Sequence, residues 1–319
     1  MADVATHAGV SGQTVSRVVN GSARVDPATR ERVETAMAEL GYRPHRAARA
    51  LRTGRTHTIG LVVTTLATVG NSRTLQAAVA AAEARGYAIT VVTVTGTITD
   101  ALSRLTDQGV DGVLVLNEAS ALLTDDIGAS HANIVAADAV AGVVPHVVRS
   151  DHYGGAVAAT SHLLELGHTT VWHLGGPADS FAARERERGW LDTLDAARVQ
   201  APDVVRGDWS AGSGHRATNA LVDARAVFCA NDEMALGLVH GLTEYGKRVP
   251  EDTSIVGFDD VSDSAHYLPP LTTVRQDFDA LGLRAISTLI DHIEGRAGEP
   301  YTEAVIATEL IERSSTRRA

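Results

Sequence analysis

Apolar residues recur at helical spacing at the start of the chain and in alternating strand-like and helix-like runs through most of the remainder. In MADVATHA, Val4, Ala5 and Ala8 share one face of a short helix. Gly9-Val10-Ser11 breaks it: Gly9 suits the left-handed conformation of a tight turn, and Ser11 is a good N-cap for a second helix. In GQTVSRVVN, Val15, Val18 and Val19 fall at i, i+3 and i+4, leaving Gln13, Thr14 and Arg17 on other faces. Asp26 caps a third helix that Pro27 opens; Val33, Met37 and Leu40 line its inner face and Gly41 ends it. Two short helices joined by a three-residue glycine turn predict a helix-turn-helix, whose second helix can enter a DNA major groove.

From His57 the pattern changes. IGLVV, AITVVTV, GVLVL and NIVAA are short β-rich runs, with helical stretches such as SRTLQAAVAAAEARGY between them. After Asp151 the cycle repeats: helix GGAVAATSHLLELG, strand TTVWHL, helix SFAARERERGWLDTLDAA, strand AVFCA, helix DEMALGLVHGLTEYG, strand SIVGF. Alternating strand and helix predicts an α/β fold of two doubly wound parallel-sheet subdomains with a cleft between them. Ligands of such sheets bind beyond the carboxyl ends of the strands. The architecture by itself does not choose a function.

Charge changes this picture. The net charge of −11 argues against nucleic acid when read whole, but residues 1–55 carry nine Arg against five acids, whereas the rest carries 19 basic and 34 acidic residues. A small basic head on an acidic body fits a DNA module joined to a sensor. Cys229 is the only cysteine, which excludes an intrachain disulfide and fits a reducing compartment, the cytoplasm. No apolar run approaches the length of a membrane span and no signal peptide is evident. There is no GxSxG elbow, HExxH, Walker loop or Cys/His metal spacing, and the 13 His are scattered, so neither an enzyme, a metal nor a cofactor is expected.

Several polar residues fall just past strand ends. Asp138 follows NIVAA, Asn231 and Asp232 follow AVFCA, Asp259 and Asp260 follow SIVGF, Arg184 and Arg186 open a helix after HLGGP, and Trp209 sits in the turn GDWSAGSG. Carboxylates, an amide, a fork-shaped guanidinium and a flat aromatic suit a sugar: the polar groups meet its hydroxyls and the indole covers its apolar face. Plainer roles compete. Asp232 reads as the N-cap of the next helix and Asp260 as a turn residue. Arg184 fits a surface pair with a neighbouring Glu as well as it fits a ligand, and Trp209 fits a ring wall better than plain core.

The run AGVSGQTVSRVVN, followed by TRERVETAMAELGYRP, CANDEMALG and GFDDVSDSAHYLPPLTTVRQDF, resembles the lactose/galactose repressor family of bacterial transcription factors over nearly all of the chain. The resemblance implies a helix-turn-helix domain over 1–44, a hinge helix over 45–56 and a ligand-binding and dimerisation domain over 57–319. The latter divides into subdomains of about 57–150 with 277–305, and 151–276 with 306–317. It implies a pseudopalindromic operator as partner, a homodimer, and a sugar effector. Ser11, Gly12, Gln13, Thr14, Ser16, Arg17 and Asn20 would meet DNA, with Gly12 and Gln13 at the positions that chiefly choose the operator. Arg49 would face phosphate, and Leu51 matches the family's wedge leucine in the minor groove. In the lactose-repressor branch the sugar contacts fall on Asp138, Arg186, Asn231 and Asp259, with Trp209 and Phe278 as aromatic walls and Gln276 nearby. The first wall departs from the branch: in VVTTLATVGNSRT, Thr64 and Thr68 stand where the family has small apolar side chains, and Thr64 is taken as a ligand residue. The chain begins inside the first helix, so its native start is expected upstream, and ELIERSSTRRA lacks the heptad tail of tetramers. The expected function is a repressor released by a galactoside, with a glucose-based disaccharide next. A corepressor-type regulator and a sugar-binding transport protein are the alternatives.

Overall fold

The computed structural model describes residues 1–19, 22, 24–42, 54–124, 127, 133–296 and 302–319. Asn20, Arg49, Leu51 and most of the expected hinge helix lie outside these described residues. Contacts divide the chain into two compact units, Met1–His57 and Thr58–Ala319.

The first unit holds α1 (Ala2–Ala8), α2 (Gly12–Val19) and α3 (Pro27–Glu39). Gly9 ends α1 at φ 63°, where a side chain would be strained. Ser11 Oγ then accepts from the Thr14 N–H at 3.1 Å, and Asp26 caps α3 through the Thr29 N–H at 3.1 Å. Val4, Val15, Val33 and Ala36 are buried at the centre. Full burial of a valine stabilises by roughly 1.5–3 kcal/mol, so this small core rests on few residues. Leu40 departs from the expected inner face. It lies beyond the last turn, at the C-cap, and is 45% exposed; Ala36 and Met37 complete the face instead.

The second unit contains two six-stranded sheets. The first is built from β1 (Thr58–Val63), β2 (Ala88–Thr93), β3 (Gly112–Leu116), β4 (Ile134–Ala137), β5 (His146–Ser150) and β11 (Thr302–Ile306), in the order β11-β5-β4-β3-β1-β2. All its pairings are parallel. Helices α4 (Val69–Ala84) and α11 (Phe278–Ile293) cover one face, and α5 (Ile98–Asp107) the other. The second sheet takes β6 (Trp172–Gly175), β7 (Val205–Arg206), β8 (Ala226–Cys229), β9 (Ser254–Asp259), β10 (Thr272–Arg275) and β12 (Glu309–Ile311), in the order β12-β10-β9-β8-β6-β7. Here β12 is antiparallel to β10, a common exception at the edge of an otherwise parallel sheet. Helices α6 (His152–Glu165) and α7 (Phe181–Ala196) pack on one face. The other carries α8 (Ala211–Arg216), α9 (Thr218–Leu221) and α10 (Asp232–Glu244). Both sheets are therefore doubly wound.

The chain passes between the two lobes three times, after Ser150, after Arg275 and after Ile306. The crossings are tied together: the Asp151 N–H donates to the Ile306 carbonyl at 2.8 Å, and the Thr308 hydroxyl to the Asp151 carbonyl at 3.2 Å. In each sheet the strand order reverses beside its first strand in chain order, β1 or β6, and the carboxyl ends there open on one cleft.

Candidate functional site

The cleft holds about 420 Å³ of space, open solvent at its mouth included. Thr68, Asn117, Glu118, Asp138, His152 and Phe278 line it together with Arg186, Trp209, Asn231, Asp259 and Gln276. Of the residues singled out from the sequence, Asp138, Arg186, Trp209, Asn231, Asp259, Gln276 and Phe278 meet here. Thr64 does not. It directly follows the last residue of β1, whereas Thr68, four residues on, caps α4 through the Asn71 N–H at 3.4 Å and reaches the wall.

Backbone strain concentrates in this lining. Asn117, Asp138, Trp209 and Asp259 have φ of 47°, 50°, 72° and 111°, a region L-residues rarely adopt. Such conformations cost of order 1–3 kcal/mol each and persist where surrounding contacts over-determine them. For Asp138 those contacts are plain. Its N–H donates to the Val148 carbonyl at 2.9 Å, and Oδ1 accepts from the Ser150 N–H at 2.9 Å. His152 Nε2 stands 2.9 Å from the same oxygen. Burial pushes the Asp138 carboxyl up, but His152, the Ser150 N–H and Arg186 together hold it below the usual carboxylate range.

Arg186 projects from α7 and is buried. Its guanidinium carbon lies 3.8 Å from the Phe258 ring centre and 5.5 Å from that of Trp209. It donates to the Ala230 carbonyl, and Nη2 stands 3.5 Å from Asp259 Oδ1. Its Nε faces His152 Nδ1 at 3.4 Å. A guanidinium has no acceptor, so Nδ1 accepts and the ring proton falls on Nε2, toward Asp138. Burial lowers the Arg186 pKa, against the pull of Asp259 and Asp138.

Asp259 closes the opposite side. Gln276 Nε2 donates to its Oδ1 at 2.6 Å. Burial raises its pKa to about 7; Arg186 pulls it down, and Glu233 and Asp138 push it further up. Asn231, not Asp232, is the N-cap of α10, accepting from the Met234 N–H at 3.0 Å. Asp232 is instead buried beneath the strands, where it accepts from the Val261 N–H at 2.9 Å and the Thr273 hydroxyl at 2.5 Å. Asp260 is structural, paired with Arg275 at 2.8 Å and Arg313 at 2.6 Å. Among the described residues Arg184 pairs with no Glu; its guanidinium donates to the Asp179 carbonyl at 2.7 Å.

Among the described residues, five cleft atoms are buried without a hydrogen bond of good geometry: His152 Nε2, which stands close to Asp138 without aligning on it, Trp209 Nε1, a donor, and the acceptors Asn117 Oδ1, Glu118 Oε2 and Gln276 Oε1. Such groups cost about 1–3 kcal/mol each when left unpaired, so the site is matched to a ligand rich in hydroxyl donors that can also accept. Asn117, Glu118 and His152 are additions that strand-end reasoning missed. Asn117 immediately follows β3 and obeys the same rule as Asp138. Nothing local in the sequence marks His152 as a neighbour of Arg186.

In the first unit, Gly12, Gln13 and Arg17 are exposed on α2, opposite buried Val15 and Val18. Ser11 is exposed at the helix start, its hydroxyl 2.9 Å from that of Thr14; Thr14 and Ser16 are half-buried. A helix presenting one glutamine and one arginine on its open face has the form of a groove reader.

Comparison with known proteins agrees with both halves. Residues 1–45 match the family model "Bacterial regulatory proteins, lacI family", and residues 160–316 match the "Periplasmic binding protein-like domain". The lactose operon repressor of Escherichia coli (strain K12) is 36% identical over 327 residues, covering 98% of this chain and 89% of that protein. A solved structure of the lac repressor dimer bound to operator and the anti-inducer ONPF superposes with a TM-score of 0.88 at 34% identity, covering 99% and 98% of the two chains. A transcriptional regulator CelR–cellobiose complex superposes with a TM-score of 0.73 at 36% identity, covering 98% of each chain. Among the described residues no helix is long and apolar enough to cross a membrane.

Proposed function

The chain belongs to the lacI family of bacterial regulatory proteins, and from that premise we propose a repressor of a sugar-utilisation operon that a sugar inducer releases from its operator. It acts as a homodimer. Two helix-turn-helix heads read the half-sites of a pseudopalindromic duplex, with Gln13 and Arg17 at base edges or phosphates. Leu51, by resemblance, wedges the central base step. The solved dimer on operator DNA supports this reading, as does the exposed face of α2.

The observation that carries the ligand class is the convergence of Asp138, Arg186, Asn231, Asp259 and Gln276 between Trp209 and Phe278, with buried acceptors on Asn117, Glu118 and Gln276 and the Trp209 N–H left unpaired. A pyranose offers adjacent hydroxyls to the carboxylates and the guanidinium, and an apolar face to the indole. A galactoside is the first choice. A glucose-based disaccharide stands next, supported by the relative solved with cellobiose.

Ligand bound between the lobes stabilises one closure state and disfavours DNA binding. The coupling is of order 1–3 kcal/mol and must be reciprocal. The test is thermal stabilisation of the purified chain against lactose, methyl β-galactoside, cellobiose, pentoses and purines. At a hundredfold excess over Kd a ligand adds about 2.7 kcal/mol. For a domain of this size that raises Tm by roughly 5–10 °C. Stabilisation by purines and by none of the sugars would reject the reading.

A further inference from the structure

Helices α8 and α10 meet with almost no side chain between them. A Cβ at Gly237 would overlap the Ala211 carbonyl oxygen and one at Gly214 the Met234 carbonyl oxygen, while one at Gly241 would overlap the Thr218 hydroxyl at the start of α9. Close approach of the two backbones fixes the groups at the rim of the seam. His215 follows Gly214, and His240 precedes Gly241. Their rings stand 5.2 Å apart across the seam, tilted by 40°. Glu244, one turn beyond His240 on α10, reaches both: its Oε2 lies 2.7 Å from His215 Nε2 and its Oε1 3.6 Å from His240 Nε2.

The three donor atoms lie within 4.8 Å of one another. Ligand atoms around a tetrahedral zinc, each 2.0–2.1 Å from the ion, are separated by about 3.4 Å. The separations of 2.7 Å and 3.6 Å from Glu244 to the two rings already lie on either side of that spacing. All three groups are at least two-fifths exposed, so an ion has access and a water can take the fourth position. Two imidazoles with one carboxylate suit borderline cations such as Zn²⁺ or Ni²⁺, and not Mg²⁺ or Ca²⁺, which take oxygen.

We propose that His215, His240 and Glu244 form a site for a divalent transition-metal cation on the surface of the second lobe. An ion there ties α8 to α10. Trp209 lies just before α8, Asn231 just before α10, and Asn231 Nδ2 already donates to the Trp209 carbonyl at 3.0 Å. The test is calorimetric titration of ZnCl₂ into the chelator-treated full chain in a non-coordinating buffer. One Zn²⁺ per chain is expected, with affinity at least tenfold weaker in His215→Ala, in His240→Ala and in Glu244→Gln. His266→Ala, at an exposed histidine elsewhere, should leave it unchanged. Circular dichroism melts without metal verify that the variants are folded. Undiminished Zn²⁺ affinity in His215→Ala/His240→Ala, or an equal loss in His266→Ala, overturns the assignment, as does wild-type protein that takes up no Zn²⁺.

Discussion

On the proposed reading, Asp259 should make sugar affinity depend on pH, with a sign the cleft dictates. Burial raises its pKa to about 7, so the free protein near neutrality holds the group half protonated. A sugar hydroxyl donates to a carboxylate more strongly than to a carboxylic acid, and Arg186 is already 3.5 Å away to receive the charge. Binding therefore selects the ionised form and lowers its pKa. The ionised fraction is about 0.9 at pH 8 and about 0.1 at pH 6, so Kd should rise about tenfold on acidification, or about 1.4 kcal/mol. Calorimetry at pH 6, 7 and 8 in buffers of different ionisation enthalpy reads both consequences. At pH 7, binding should release about half a proton. Asp138, held low, stays ionised throughout, and burial raises the Glu233 carboxyl above its usual range. Asp259→Asn isolates the contribution of one group: it should weaken binding at pH 8 and remove most of the dependence. Stability runs with its own sign. A carboxyl with a raised folded pKa contributes stability that is present at low pH and lost as pH rises through about 7. The Asn variant without ligand should thus melt no lower than wild type at pH 8. A flat Kd from pH 6 to 8 with no proton exchange would refute the assignment of Asp259 as a sugar acceptor.

Other perturbations test separate parts of the account. Arg186→Ala should abolish the sugar response while folded protein still binds operator; a normal response removes Arg186 from the pocket. Gly237→Ala forces a methyl group onto the Ala211 carbonyl and should cost about 1–3 kcal/mol, read as a Tm lower by several degrees in calorimetry. An unchanged Tm would mean that α8 and α10 separate freely. Leu51→Ala should weaken specific DNA binding severalfold while sparing sugar binding, and unchanged operator affinity would end the wedge assignment. Glu233 accepts from the Val69 N–H across the cleft at 3.4 Å, so Glu233→Ala should loosen unliganded closure, seen as faster amide exchange at the start of α4.

The parts of this molecule legible in the sequence are those decided locally. Gly9 with φ 63°, the Ser11 and Asp26 caps and the Val15/Val18 face need no distant partner to be recognised. The buried central strands read directly as apolar runs. By contrast β11 alternates between half-buried and exposed at a sheet edge, and β7 has two residues, so neither carries a strong signal. Asp138, Asn231 and Asp259 were legible because the carboxyl ends of parallel strands line clefts. Asp232 was misread as a cap because its real partners, Val261 and Thr273, are 29 and 41 residues away. His152 and Glu118 become cleft residues only when the two lobes come together, and no local pattern encodes that. The family resemblance supplied what geometry alone could not, above all that Arg186 rather than Arg184 turns inward.

The central claim is a coupling between the cleft and the DNA head. The most direct measurement takes a duplex selected by the full chain from a random pool and follows its fluorescence anisotropy as the stabilising sugar is added. Release of the duplex is predicted, with operator Kd rising roughly 5–150-fold and sugar affinity falling by the same factor on the DNA-bound protein. Sugar that leaves the duplex bound at unchanged affinity, or that tightens it, contradicts the account.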